Sequence, residues 1–509
     1  MYPGPHTRPL WAALLVFVLL LSACGGGKKT QPSQASASNI AVIGDQQGAT
    51  PFIRFVQLRG DNLALLTAVH YAIAPKPGSV SKPVDVSFDA GALIRRGNLV
   101  AASGTLNLPV FGLYSGYANH LAMDFRFQDG STRSLPLDIT TAAYADPNGI
   151  YDHPTIVKAR AAGSELGFDF FAIKSGYGTP VVIDTDGEIR WVGTGVANSG
   201  SAAFRDNGFV VGDPNSLKLT RLELDGTTIE NSLVSSTYTT FHHNIDPGKL
   251  GLLAELNAVT GGVANIESTL VEIADSGTII KDWNLAALLA SYMQSQGDDP
   301  GTFVRPGADW FHMNAATYDP RDNSLIVSSR ENFVIKIDYM TGEIIWILGD
   351  PTKYWYSFPS LRAKALNLQA GGLYPIGQHG VSITSDGLLM LFNNGAASFN
   401  QPAGAPAGEP RAYSAVVAYA IDPVSRSAQE VWRFDYGQSI SSLICSSAYE
   451  APGKSLLVDY AYTVNGTQAR LVGLDASHAV VFDFQYPSPT MCGSAWNSLP
   501  VPFDSMWFH

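Results

Sequence analysis

After about residue 155 one pattern recurs six times: an apolar run, an aspartate, a turn, then a second apolar or aromatic run. The copies are VVIDTDGEIRW (181–191), RLELDGTTI (221–229), VEIADSGTIIKDW (271–283), IKIDYMTGEIIW (335–346), AYAIDPVSRSAQEVW (418–432) and VGLDASHAVVF (472–482). Asp-Gly and Thr-Gly turns between apolar runs are hairpin signals, because these residues tolerate the backbone angles of tight turns. A hairpin that returns at intervals of roughly 40 to 85 residues, with other strands between, reads as the outer half of a four-stranded blade. Six copies predict a six-bladed β-propeller in an all-β chain.

Residues 42–146 differ. Short alternating runs appear there: FIRFVQL (52–58), ALLTAVHYAI (64–73), VDVSF (84–88), LAMDFRF (121–127) and RSLPLDI (133–139). Period-two alternation marks half-buried strands, and a run of them predicts a small N-terminal β-sandwich. ADPNGIYDH (145–153) is a plausible boundary, which gives the propeller residues 150–509. One helix is expected, over NLAALLASYMQ (284–294), as an insertion. Net charge is −12 and no basic stripe occurs. Nucleic acid and anionic lipid surfaces are therefore poor candidate partners.

The first residues bear on the compartment. His6 and Arg8 precede an apolar run from Leu10 to Leu21, which is too short to span a bilayer. Leu21-Ser22-Ala23-Cys24 then resembles the lipobox of bacterial lipoproteins. That resemblance implies a signal peptide over 1–23 and lipidation of Cys24, with residues 24–41 as a Gly/Ser-rich tether. Gly25 after the cysteine matches the outer-membrane sorting pattern, so the expected location is the outer membrane, facing the periplasm. The alternative is an ordinary signal peptide with a chance cysteine. Only Cys445 and Cys492 then remain. In an oxidising compartment a disulfide between them is expected, the alternative being two separate buried thiols.

Three histidines stand at the start of similar strand–turn–strand units. His243 leads into GLLAEL and His379 into GLLMLF at the same offset, while His312 leads into SLIVSS after a longer turn. Innermost blade strands face a central channel, so three such residues converge on one site. A hairpin centred on Arg321 would set His312 opposite Arg330, with Asn314 on the same face. Imidazole, amide and guanidinium together suit an anion with several oxygens. His242 rivals His243 for the inward position; of two neighbours on a strand, one faces each way.

The segment DWFHMNAATYDPRDNSLIVSSRENFVIKIDYMTGEIIWILGDP (309–351) resembles the central motif of the bacterial arylsulfate sulfotransferases. FHHNIDP (241–247) and QHGVSITSDGLLMLFNNG (378–395) resemble two further motifs of that family. The resemblance implies a sandwich-plus-propeller fold over residues 42–509. It also implies transfer of a sulfuryl group from a phenolic sulfate to a phenol by a ping-pong route, without a nucleotide donor. On it, His379 is the transiently sulfated nucleophile, supported by His312, His243 (or His242), Asn314 and Arg330. No phosphate-cradling Gly-rich motif is present, and neither cofactor nor metal is expected. Arg330 and the lack of an inward carboxylate in register argue against a cation among the histidines. Two alternatives stay open: a three-histidine metal-dependent lyase or hydrolase, and a membrane-anchored propeller that binds without catalysis. Trp310 and Phe311 are expected in the core, and Tyr354-Trp355-Tyr356 on the rim of the site.

Overall fold

The computed structural model describes residues 39–509. The expected signal peptide, Cys24 and all but the last few tether residues lie outside them. Six four-stranded antiparallel sheets form the blades of a propeller, in two cases with a fifth strand added. Blades 2 to 6 follow the chain, with innermost strands Ala202–Arg205, Tyr238–Pro247, Met313–Asp319, His379–Ile383 and Ser447–Glu450.

Blade 1 is closed by the other end of the chain. Its inner strand, Asn497–Pro500, pairs with Phe170–Lys174, so distant segments complete one sheet. On its outer edge, blade 6 gains Thr155–Lys158 from before blade 1. A ring closed in this way leaves no long unpaired edge.

The six repeats are the two outer strands of the six blades, as the hairpin signals require. Their aspartates are turn devices. Asp338 Oδ1 accepts from the amides of Met340 and Thr341, and Asp422 Oδ1 from Val424 and Ser425. Asp475 does the same for Ser477 and Ala479. A carboxylate that binds its own turn amides stabilises the bend.

The N-terminal unit is a sandwich of a four-stranded and a five-stranded sheet. Its strand Ala118–Phe127 alternates exposed and buried at every residue. The chain's last strand, Met506–Phe508, returns from the propeller to lie parallel to Val84–Asp89 in this unit, so the division of the chain near 150 does not hold at its C-terminus. Trp191 and Phe209 of blades 1 and 2 share one core with the sandwich. Fully buried Arg190 of blade 1 donates to the carbonyl of Gly112 at 2.7 and 3.1 Å and lies 3.6 Å from the Tyr114 ring centroid. The predicted helix spans Leu285–Ser295 between blades 3 and 4, and the Asn284 side chain caps it by accepting from Ala287.

Candidate active site

His243, His312 and His379 lie on or beside the inner strands of blades 3, 4 and 5. Each strand loses its register there: between Phe241 and Ile245, between Met313 and Ala315, and between His379 and Ser382. His243 and His312 adopt φ of +44° and +50°, and Gly380 adopts +58°. Non-glycine residues seldom hold such angles, and bulges of this kind re-aim side chains beside functional sites. A Cβ on Gly380 would stand 3.1 Å from the Ser447 backbone, so glycine is needed there on both counts.

The expected pairing survives at the backbone, where the Arg330 amide donates to the His312 carbonyl at 3.1 Å. Simple alternation does not. The break at Asn314 shifts the pairing by one residue beyond it, and Asn314 Nδ2 donates to the carbonyl of Gln378, next to His379. His242 and His243 likewise do not face opposite ways. The positive φ of His243 curls the chain, and the two Nδ1 atoms lie 3.2 Å apart. The His243 ring meets the His312 ring at a 4.4 Å centroid distance and also packs on Trp496. His242 sits near Glu255, its Nε2 buried and without a partner among the described residues.

Two carboxylates join the cluster, which corrects the expectation of none. Glu267 Oε2 lies 2.8 Å from His312 Nδ1 and 3.5 Å from His243 Nδ1. Asp309 Oδ2 lies 2.7 Å from the same His312 nitrogen. Glu267 comes from the third strand of blade 3 and takes a φ of +45°, so no repeat pattern marks it. Asp309 stands three residues before His312 inside the quoted motif, a proximity that could have found it.

His379 is held from three sides. Its Nδ1 faces Asn394 Oδ1 at 2.8 Å and the Gly377 carbonyl at 3.1 Å. The Asn394 amide group donates to the carbonyls of Ser442 and Cys445, so its oxygen must be the atom facing the ring. Nδ1 therefore carries the proton, and Nε2 presents its lone pair. The Cys445 amide donates to that Nε2 at 3.1 Å. Cys445 is joined to Cys492 by a disulfide, and Trp496 packs against the pair.

Electrostatics separate the histidines. Burial drives the His379 pKa down to about 3; the Asn394 hydrogen bond opposes this, and the charges of Arg330 and His312 add to it. Burial also lowers His243 well below its ordinary value. For His312 burial is outweighed by hydrogen bonds to Asp309 and Glu267, and its pKa rises. At neutral pH the cluster thus holds a neutral, oriented imidazole beside one that is readily protonated. Arg330 is buried, paired with Glu331, and has its guanidinium carbon 4.4 Å from the Phe399 ring centroid. Trp310 and Phe311 are core residues as expected, but Trp355 is buried too, and Tyr354 and Tyr356 pack on that core rather than on the rim of the site.

Fold and site define a six-bladed β-propeller with a buried cluster of histidines, carboxylates and an arginine at its axis. The arylsulfotransferase (ASST) family matches residues 155–496, and the chain belongs to that family. The chain is 23% identical to the arylsulfate sulfotransferase AssT of Escherichia coli O6:H1, covering 86% of this chain and 88% of that one. It is 22% identical to AssT of Lelliottia amnigena over the same shares. Among solved structures, the Swd1 propeller domain of Myceliophteria thermophila aligns over 69% of this chain and 92% of its own, at 14% identity and a TM-score of 0.35. BamB of Moraxella catarrhalis aligns over 74% and 96%, at 12% identity and a TM-score of 0.29.

Proposed function

We propose that the protein transfers a sulfuryl group from a phenolic sulfate ester to a phenol through a sulfohistidine at His379. The observation that carries this reading is the fixed tautomer of His379: Nδ1–H is bound to Asn394 and Gly377, so Nε2 carries the lone pair, which attacks sulfur in place of its hydrogen bond to the Cys445 amide. In the first step Nε2 bonds to sulfur as the S–O(aryl) bond breaks. The leaving phenolate takes the proton of His312, whose raised pKa suits a general acid. In the second step an acceptor phenol gives its proton back to His312 and attacks sulfur, and the N–S bond breaks. Covalent relay through a neutral imidazole divides one hard transfer into two easier ones. Arg330 and Asn314 serve the sulfuryl oxygens, and the Cys445 amide, already at Nε2, is within reach of them after transfer. His243 orients Glu267 and packs against His312.

The direct test is intact-protein mass after mixing with 4-nitrophenyl sulfate. A gain of one SO₃ in the wild type that vanishes in His379→Ala is expected; an unmodified wild type would refute the reading. One observation favours a second reading, a divalent cation held by His243, Glu267 and His312, whose ligand atoms lie within 4.8 Å of one another. Stoichiometric metal in the purified protein, with activity lost to a chelator, would establish it instead.

We also propose that the chain is an exported lipoprotein anchored through Cys24, on the lipobox and the tether that follows it. Among the described residues no helix is long and apolar enough to cross a membrane. Incorporation of radiolabelled palmitate, abolished in Cys24→Ala, is the check.

A further inference from the structure

We propose that Phe399 recognises the aryl ring of the sulfate donor, and so sets the preference for aromatic esters. The proposal rests on the sulfotransferase reading above. Phe399 lies in the segment between the second and third strands of blade 5, Leu389–Asn393 and Ala415–Asp422. A connection of that length without a strand or helix of its own is usually functional or disordered. This one is tied down on both sides of Phe399. The Ser398 amide donates to the Ala407 carbonyl at 2.9 Å, and the Ser398 hydroxyl donates to the carbonyl of Glu331. The Asn400 amide donates to Glu331 Oε2 and its side chain to Asp309 Oδ2, both at 2.8 Å.

Between these anchors the Phe399 side chain is 56% exposed. Leaving a large apolar side chain in water forgoes burial energy, and here the backbone on either side is fixed while the ring is left out. The anchors are informative in themselves. Glu331 is the ion-pair partner of Arg330, and Asp309 is a partner of His312. The ring is thereby fastened to the two groups assigned to the sulfate oxygens and the phenolic proton. It lies over the Arg330 guanidinium at 4.4 Å, within cation–π range, while the Arg330 side chain itself is only 7% exposed. In an aryl sulfate one bridging oxygen separates ring from sulfur. An ester whose sulfate is held by Arg330 therefore carries its ring one bridging oxygen away from a group that Phe399 itself covers at 4.4 Å. Offset or edge-to-face contact between the rings would favour aromatic over aliphatic esters.

The test is donor kinetics with 4-nitrophenyl sulfate and phenol for Phe399→Ala, Phe399→Leu and Phe399→Tyr. Aromatic pairs are worth enough to raise donor KM about 3- to 10-fold when the ring is lost. That rise is expected in both the alanine and leucine variants, with kcat within about twofold of wild type, and tyrosine should restore KM. Leucine covers Arg330 without an aromatic face. A leucine variant with wild-type KM would reduce Phe399 to a shield and overturn the proposal, as would an unchanged KM in the alanine variant. Either result in a protein that still acquires SO₃ on His379 leaves the sulfotransferase reading standing. A wild type that never acquires it refutes that reading first.

Discussion

Asn394 Oδ1 lies 2.8 Å from Nδ1 of His379, while the Asn394 amide group is committed to the Ser442 and Cys445 carbonyls. This side chain thus joins the Gly377 carbonyl at Nδ1 and the Cys445 amide at Nε2 in fixing which histidine nitrogen carries the proton. Replacing Asn394 with leucine removes the acceptor but keeps the bulk. For a metal-bound histidine, loss of the partner that orients it by its second nitrogen typically costs about 10- to 100-fold in function, and the same geometry applies to His379. A fall of that size in kcat, with donor KM little changed, is expected. ¹⁵N shifts of His379 should still show the proton on Nδ1, because the Gly377 carbonyl and the Cys445 amide stay in place, so the loss in kcat reports the orientation of the ring.

Glu267 sits 2.8 Å from His312 and helps hold its pKa above the ordinary value. The protonated form is the acid, so activity falls as pH rises through that raised pKa. Glu267→Gln removes the negative charge and lowers the His312 pKa. The alkaline limb of the pH profile of kcat/KM for the donor should move to lower pH, while its acid limb stays. An unmoved alkaline limb would remove His312 from the proton-transfer role.

Arg330 offers a fixed guanidinium to the sulfuryl oxygens, and its Nε is buried with no protein partner among the described residues. Removing one preorganised donor costs about 3 kcal/mol in the transition state, or roughly 10²-fold in kcat. Arg330→Ala should lose at least that, because Glu331 is also left unpaired. Steady-state kinetics beside a thermal melt separates the catalytic loss from any loss of folding.

The Cys445–Cys492 bridge closes a stretch of 47 residues and holds the loop whose amide meets His379. Cys492→Ser should cost about 2–4 kcal/mol of stability. Denaturant titration measures this. Activity of the variant below its melting temperature should also fall, because the Cys445 amide is no longer pinned.

Asp459 is fully buried, with one oxygen accepting from Ser498 at 2.8 Å and the other unpaired. Burial raises its pKa well above 3.8. The sign follows from the raised value. Its contribution to stability is present in full below the unfolded pKa and is lost as pH rises through the folded one. Asp459→Asn should therefore raise the melting temperature at pH 7 and have little effect near pH 4.

The six blades were legible because each outer hairpin is a local unit. Its Asp, turn and flanking apolar runs are contiguous, and local hydrogen bonds such as those of Asp338 and Asp475 form wherever the hairpin forms. The three histidines were legible for the same reason, as they recur at one place in the repeat. The partners of those histidines were not. Glu267 reaches His243 and His312 from another strand through a left-handed backbone angle, and Asn400 reaches Asp309 across 91 residues of chain. Register breaks at each histidine cancel the alternation on which side-chain facing was inferred. The sequence by itself determined the repeat, the blade count and the residue types at the axis, since these follow from local propensity. Only the tertiary structure decided the tautomer of His379, the raised proton affinity of His312 and the placement of Phe399. Each of those depends on burial and on groups that the bulged strands and the packing of neighbouring blades bring together.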